Sequence, residues 1–282
     1  MDKKLNEMII KMDNNLTTKA TRFNATQQKL FYSTLASLEN GTNDKYEVEI
    51  DKKDLLNFLG YEGKDKWDRL RYQLKQMVFK SFVEFGNDEM FCDGFVMTNV
   101  RSTKHKIYVQ FGSTYLPLVK ELSGNYTRLL NDDTVQFKSK YSMMLYQILM
   151  KNNNYRTTIL TTKELKELFG LSKDDYCNKK TGKFDRYNFD KYTIDLAVKE
   201  INEMSRCISN LKYRKNYHGR QVANYEFHCD YTDPNIAVRQ IETENRQAEE
   251  TLKGQTELKD FGVKIEERQT IEPSYFEWWN EE

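Results

Sequence analysis

No apolar run in the chain approaches the ~20 residues that a membrane-spanning helix needs. The N-terminal stretch MDKKLNEMIIKMDNN contains only one apolar pair and no secretory hydrophobic segment, so a cytoplasmic location and no membrane partner are expected. The four cysteines, at 92, 177, 207 and 229, form no C-x-x-C pair, which argues against a zinc knuckle or a dithiol redox centre. The three histidines, His105, His218 and His228, include no pair one residue apart. A strand-nicking enzyme would need such a pair, because a metal must activate the phosphate beside its nucleophilic tyrosine. His218-Gly219-Arg220 is one residue too short for the His-x-x-Arg of a tyrosine recombinase. No G-x-x-x-x-G-K-[ST] loop is present to cradle ATP phosphates. These absences predict no catalytic residue, no metal and no cofactor.

What is abundant is charge, at 31% of the 282 residues, together with Asn, Lys and Tyr. That composition suits an AT-rich bacterial genome. The net charge of +1 hides an asymmetry, since residues 235–282 carry 6 Lys+Arg against 12 Asp+Glu and residues 1–234 carry 38 against 31. A basic body with an acidic tail points to a polyanionic partner for the body.

One order of segments occurs twice, about 110 residues apart. FNATQQKLFYSTLASL (23–38) reads as a helix, followed by the alternating strand KYEVEI and by DKKDLLNFLG. KSKYSMMLYQILMKN (138–152) is followed in the same way by RTTILT and TKELKELFG. Both short helices stop at glycine, Gly60 and Gly170, the usual residue where a helix ends in a left-handed conformation. A longer helix comes next in each copy, DKWDRLRYQLKQMVFK and then NFDKYTIDLAVKEINEMS. Paired strands close both copies: KSFVEF, MFCDGFVMTNVRS and HKIYVQF in the first, ISNLKYRKN and QVANYEFHC in the second. Helix, short strand, helix, helix and hairpin is the order of a winged helix. The expected fold is therefore α+β, two tandem winged-helix domains with a charged C-terminal tail. The boundaries read as 1–132, 133–234 and 235–282, with the join in the polar NDDT of residues 131–134. The tail is expected to form one solvated helix to about Leu252. Its terminal aromatics Tyr275, Phe276, Trp278 and Trp279 are expected to dock on their own domain.

Candidate contacts follow from the faces of the two longer helices at 100° per residue. In the second copy Phe189, Ala197, Ile201 and Met204 fall on one arc. Asn188, Lys191, Tyr192, Asp195, Lys199 and Asn202 fall on the other. Asn, Lys and Tyr bond to base edges or phosphates, and the third helix of this order is the recognition helix. In the first copy Trp67, Leu70, Leu74, Met77 and Val78 form the inner arc, leaving Asp68, Arg69, Tyr72, Lys75 and Gln76 outside as a weaker reading face. Its strands carry Phe91, Phe95, Val96, Met97, Ile107, Val109 and Phe111, which either cover their own core or pair with another chain. Lys138, Ser139 and Lys140 open the first helix of the second copy, where backbone N–H groups and charge suit a phosphate. In the second hairpin Lys212, Arg214, Lys215 and Arg220 alternate with Tyr213 and Tyr217, a pattern that fits phosphates or a narrow minor groove.

The segments SKYSMMLYQILMKN, KELKELFGL, AVKEINEMS and GRQVANYEF, in that order, carry a resemblance to a known family. The chain resembles the initiator replication proteins of theta-replicating, iteron-containing plasmids, the RepA/RepB/RepE-like class. The likeness covers about residues 20–232. It implies tandem winged helices in which the C-terminal domain docks on direct repeats at the origin. The N-terminal domain then serves DNA contact or dimerisation, with monomers as initiators and dimers as repressors. It further implies double-stranded origin DNA, a second copy and the host initiator and helicase as partners. Lys191 and Tyr192 fall at recognition-helix positions where relatives often carry arginine, and Tyr192 departs from that habit. A winged-helix transcriptional regulator without a replication role, and a rolling-circle nicking enzyme, are the alternative readings.

Overall fold

The computed structural model describes residues 4–260 apart from 15, 17–22, 43–45, 87–90, 114–115, 117–118, 120–121, 123–125 and 156. Two compact units are present, residues 1–239 and 240–282. The first begins with strand β1 (Ile9–Asp13) and helix α1 (Ala25–Ala36). Asn24 opens α1 through a capping box, accepting from the Gln27 amide while the Gln27 side chain accepts from the Asn24 amide. Almost all of α1 is buried, because it packs against β1 and against helices that follow on several sides.

Strand β2 (Glu47–Asp51) leads into α2 (Lys52–Phe58), which Asp51 caps by accepting from the amides of Lys53 and Asp54. Helix α3 (Lys66–Lys80) follows. Leu70, Leu74 and Met77 are its buried stripe, each worth about 1.5–3 kcal/mol of apolar burial; Trp67 and Val78 of the expected inner arc are half-buried. Strands β3 (Phe82–Gly86) and β4 (Phe91–Phe95) form a separate two-stranded ribbon. Strands β5 (Met97–Ser102) and β6 (Lys106–Phe111) complete a three-stranded sheet in the order β2-β6-β5. Val96, Met97, Ile107, Val109 and Phe111 are buried, so these apolar residues cover their own core, whereas Phe95 is exposed. The side chain of Phe91 lies outside the described residues.

Strand β7 (Tyr126–Leu130) returns to pair antiparallel with β1. The polar NDDT then forms the start of a short helix, α4 (Asn131–Gln136), with Asn131, Asp133 and Thr134 buried. Their polar atoms are used locally. Asn131 Nδ2 donates to the Leu5 carbonyl, and Asp133 accepts from Ser205 Oγ (2.6 Å) and from the amides of Arg206 (2.8 Å) and Cys207 (3.1 Å). Helix α5 (Lys140–Lys151) crosses α1, where the buried Tyr32 hydroxyl donates to Gln147 Oε1. Strand β8 (Thr157–Thr161) and helix α6 (Thr162–Leu168) follow, the latter opened by a Thr161–Glu164 capping box. Gly60 and Gly170 end α2 and α6 at φ +67° and +62°, the left-handed region that favours glycine.

The recognition segment is helical from Arg186 to Met204 in three pieces: α7 (Arg186–Phe189), a π-helical turn (Asp190–Asp195) and α8 (Leu196–Met204). Strands β9 (Ile208–His218) and β10 (Gln221–Tyr231) form the wing, and the sheet order is β8-β10-β9. The last helix, α9 (Pro234–Asp260), runs past the expected end at Leu252, through a stretch rich in the helix formers Gln, Glu, Lys and Leu. The four C-terminal aromatics lie outside the described residues.

Candidate nucleic-acid interface

The recognition segment buries Phe189, Asp190, Thr193, Ile194, Ala197, Glu200 and Ile201. Tyr187, Lys191, Tyr192, Asp195, Lys199 and Asn202 are exposed, while Asn188 and Met204 are intermediate. The buried residues share one side of the segment before, within and after the π turn. Thr193 Oγ1 donates to the Phe189 carbonyl at 2.6 Å inside that turn, a back-bond that opens and bends helices. Asn188 is occupied at the helix start, where Asp185 accepts from its amide and from its Nδ2. Lys191 lies over the rings of Tyr187 (5.7 Å) and Tyr192 (5.3 Å), distances at which a cation is attracted to a ring face. Tyr187 was not among the predicted contacts, yet it is 71% exposed, against 52% for Tyr192. Its place one turn before Lys191 was the signal.

Two outward residues turn out to hold the wing. Asp195 Oδ1 accepts from the Tyr213 hydroxyl at 2.7 Å. Asn202 exchanges two 2.8 Å bonds with the backbone of Leu211. Part of the predicted polar face is therefore bonded to the wing, although Asp195 and Asn202 stay exposed.

The four wing cations divide in the same way. Arg214 donates both Nε and Nη2 to Glu226 at 2.8 and 2.9 Å. Lys215 Nζ lies 2.5 Å from Asp190 Oδ2, and Asp190 is 5% exposed. Tyr225 OH donates to the other Asp190 oxygen at 2.5 Å, and Arg186 Nη1 donates to Tyr225 at 2.8 Å. The sequence pattern suggests phosphate or minor-groove contacts for both cations; in the fold each shares its charge with a buried carboxylate, Glu226 or Asp190. Lys212 and Arg220 are exposed and form no ion pair among the described residues.

Glu226 also accepts from Asn216 Nδ2 and approaches His228 Nε2, each at 2.9 Å. The Arg214 guanidinium, with Asn216 next, holds its carboxyl down at about 2. The folded value lies below the ordinary carboxylate value of 4.5, so this contribution to stability is complete above pH 4.5 and is lost as pH falls towards 2. Thermal melts between pH 5 and pH 2 are expected to show a steeper acid loss in the native chain than in Glu226→Gln. Equal slopes would mean that the Arg214–Glu226 pair does not govern the wing.

At the start of α5 the predicted anion position already holds a carboxylate. Glu200, buried on α8, accepts from the amides of Lys138 (3.2 Å) and Ser139 (3.1 Å), and Ser139 Oγ accepts from Tyr141 N. Lys138 is exposed and Lys140 half-buried, and burial lowers the Lys140 pKa. The helix end that was to bind a phosphate is therefore satisfied within the protein.

On α3, Asp68, Arg69, Tyr72 and Lys75 are exposed and Gln76 is half-buried. Arg69 is tethered, donating to the Glu62 carbonyl (2.5 Å) and pairing with Asp65 (3.3 Å). An open groove of about 580 Å³ runs beside it, lined by Lys29, Tyr61, Asp68, Arg69 and Tyr72 among others.

The model of the family described as "Initiator Replication protein, WH1" matches residues 9–150, and that of "Initiator Rep protein, WH2" matches residues 161–229. The first match runs through α5. The crystal structure of the Pi initiator protein in complex with iteron DNA is similar at TM-score 0.64 and 17% identity, covering 81% of this chain and 99% of that one. Domains 2 and 3 of RctB align at TM-score 0.43 and 10% identity, over 73% of this chain and 80% of that one. No curated protein matches the chain.

Proposed function

Because the chain belongs to the family of initiator replication proteins, we propose that it starts plasmid replication by binding direct repeats (iterons) at the origin. The observation that carries this reading is the exposed group Tyr187, Lys191 and Tyr192, set on a helix that is also bonded to the basic wing. In the proposed complex Lys191, Tyr192 and Lys199 face base edges, and Lys212 and Arg220 meet phosphates. Asn188, Asp195, Arg214 and Lys215 act mainly by positioning, and Lys138, Ser139 and Lys140 lie at the edge of the contact. Arg69, Tyr72, Lys75 and Gln76 give the N-terminal domain a second, weaker face. We assign residues 1–132 to that domain, 133–234 to the repeat-binding domain and 235–282 to the tail. Binding then opens the neighbouring AT-rich DNA in the cytoplasm and brings in the host initiator and helicase, without covalent chemistry. A dimer of the same chain represses its own gene.

Footprinting on the DNA just upstream of the gene tests the reading. An array of protected direct repeats at a spacing of ~20 bp, about two helical turns, is expected. A single protected palindrome would replace initiation by transcriptional regulation. Lys191→Ala is expected to weaken repeat binding by roughly 1–3 kcal/mol with little change on unrelated duplex. An equal loss on both duplexes would remove Lys191 from base recognition.

A further inference from the structure

Residues 169–185 connect α6 to α7, a span far longer than the 3–4-residue turn that joins such helices. Bonds within the segment and from its neighbours hold it in place. Cys177 and Phe184 form an antiparallel bridge, and the Asn178 amide donates to the Lys183 carbonyl at 2.8 Å. Asn178 Oδ1 accepts from the amides of Lys180 and Thr181, and the Gly182 amide closes onto the Asn178 carbonyl. Gly182 sits at φ +65°, which a residue with a side chain rarely adopts. The rings of Tyr176 and Phe184 anchor the base of this small hairpin on Phe189, the buried side of the recognition segment. Lys166 Nζ ties down the turn that enters the hairpin by donating to the carbonyls of Lys173 and Asp175.

The tip held up in this way carries Lys179, Lys180 and Lys183, all exposed and without an ion pair among the described residues. No acidic residue lies between Tyr176 and Phe184. At the adjacent start of α7 the Asp185 carboxylate caps the helix and accepts from the Asn188 amide. A negative cap turns a phosphate away from that helix end, so attraction for a DNA strand passing there has to come from the loop.

We infer that the Asn178–Lys183 tip is a separate phosphate-binding element, which grips the duplex backbone beside the bases faced by the recognition segment. It rests on the DNA-binding function proposed above and adds an anchor to it. The contact is independent of sequence, because ammonium groups on a rigid turn meet phosphates and carry no donor–acceptor code for bases. Ordering of the backbone in the free protein leaves only side-chain freedom to be lost on binding.

The test compares the full chain with the triple variant Lys179→Gln, Lys180→Gln, Lys183→Gln. Binding to a duplex from the DNA upstream of the gene, and to a shuffled duplex of equal composition, is followed by fluorescence anisotropy from ~50 to ~200 mM salt. Three lost phosphate contacts reduce the salt slope by about 2.7, so the native chain should lose roughly 40-fold more affinity than the variant over that range. The ratio between the two duplexes should stay the same. An unchanged slope overturns the inference, and so does a loss confined to the upstream duplex. Gly182→Val keeps every charge and strains the turn; it should lower the slope partway, and native binding by this variant would overturn the claim that the tip is pre-shaped. If the native chain fails to discriminate the duplexes, repeat recognition fails, while the slope still reports on the loop.

Discussion

Asp133→Ala should cost about 3–4 kcal/mol of stability, the largest loss expected from any single truncation considered. Asp133 lies on α4 and its carboxylate is buried, yet it is surrounded by donors: the Ser205 hydroxyl and the amides of Arg206 and Cys207. These three donors sit at the exact bend where α8 ends and β9 begins, so one side chain fixes the path from recognition helix to wing. Removing it leaves buried N–H groups without an acceptor, at about 1–3 kcal/mol each, partly offset because Ser205 Oγ also accepts from Cys207 and Ile208. Burial raises the Asp133 pKa in spite of these bonds, so the neutral isostere is the informative control. Asp133→Asn retains one acceptor and should recover part of the loss. An unfolding free energy from urea titration within about 1 kcal/mol of native for Asp133→Ala would mean that the bend is held by packing alone.

The second large effect belongs to Lys215. Lys215→Ala strands Asp190, 5% exposed, leaving the Tyr225 hydroxyl as its side-chain partner among the described residues. Breaking one side of such a pair costs about 2–4 kcal/mol, because the remaining charge is left in a low-dielectric site. Arg214, by contrast, is 68% exposed, and Asn216 and His228 stay beside Glu226, so Arg214→Ala should lower the melt by less than Lys215→Ala does. Pairing Lys215→Met with Asp190→Asn removes both charges and should restore most of the lost stability. Because Asp190 opens the π turn, Lys215→Ala should also blunt discrimination between repeat and unrelated DNA before it reduces total binding. Equal melts for Lys215→Ala and Arg214→Ala would show that the two wing cations are equivalent after all.

Much of the architecture was legible because it is local. Leu70, Leu74 and Met77 recur at helical spacing, β2 and β6 alternate, and Gly60 and Gly170 mark two helix ends. The wing pairing of charges was not legible, and a bulge is the reason. Counting back from the turn at His218 and Gln221, a regular ladder would set Arg214 opposite Tyr225. The register shift between Val222 and Asn224 sets it opposite Glu226 instead, and brings Lys215 opposite Tyr225. The 100° wheel sets Asp190 between Ala197 and Ile201 on the inner arc, but its partner Lys215 comes from the wing, so the pair depends on the same bulged register and was not legible. Glu200 was missed for a related reason: its target amides lie 61 and 62 positions earlier in the chain. The NDDT stretch is polar because it caps neighbours inside the fold, and composition alone does not separate that from a polar join.

The β1–β7 ladder sets a clock on synthesis. Ile9 faces Leu130 across it, so the first strand leaves the ribosome roughly 120 residues before its partner. At ~5–20 residues per second that interval is roughly 6–24 s. Until then Ile9, Ile10 and Met12, all buried in the finished protein, have no strand to cover them. The nascent N-terminal half is thus at its most aggregation-prone before Leu130 is made, and its first and last strands close together as the second half begins to emerge.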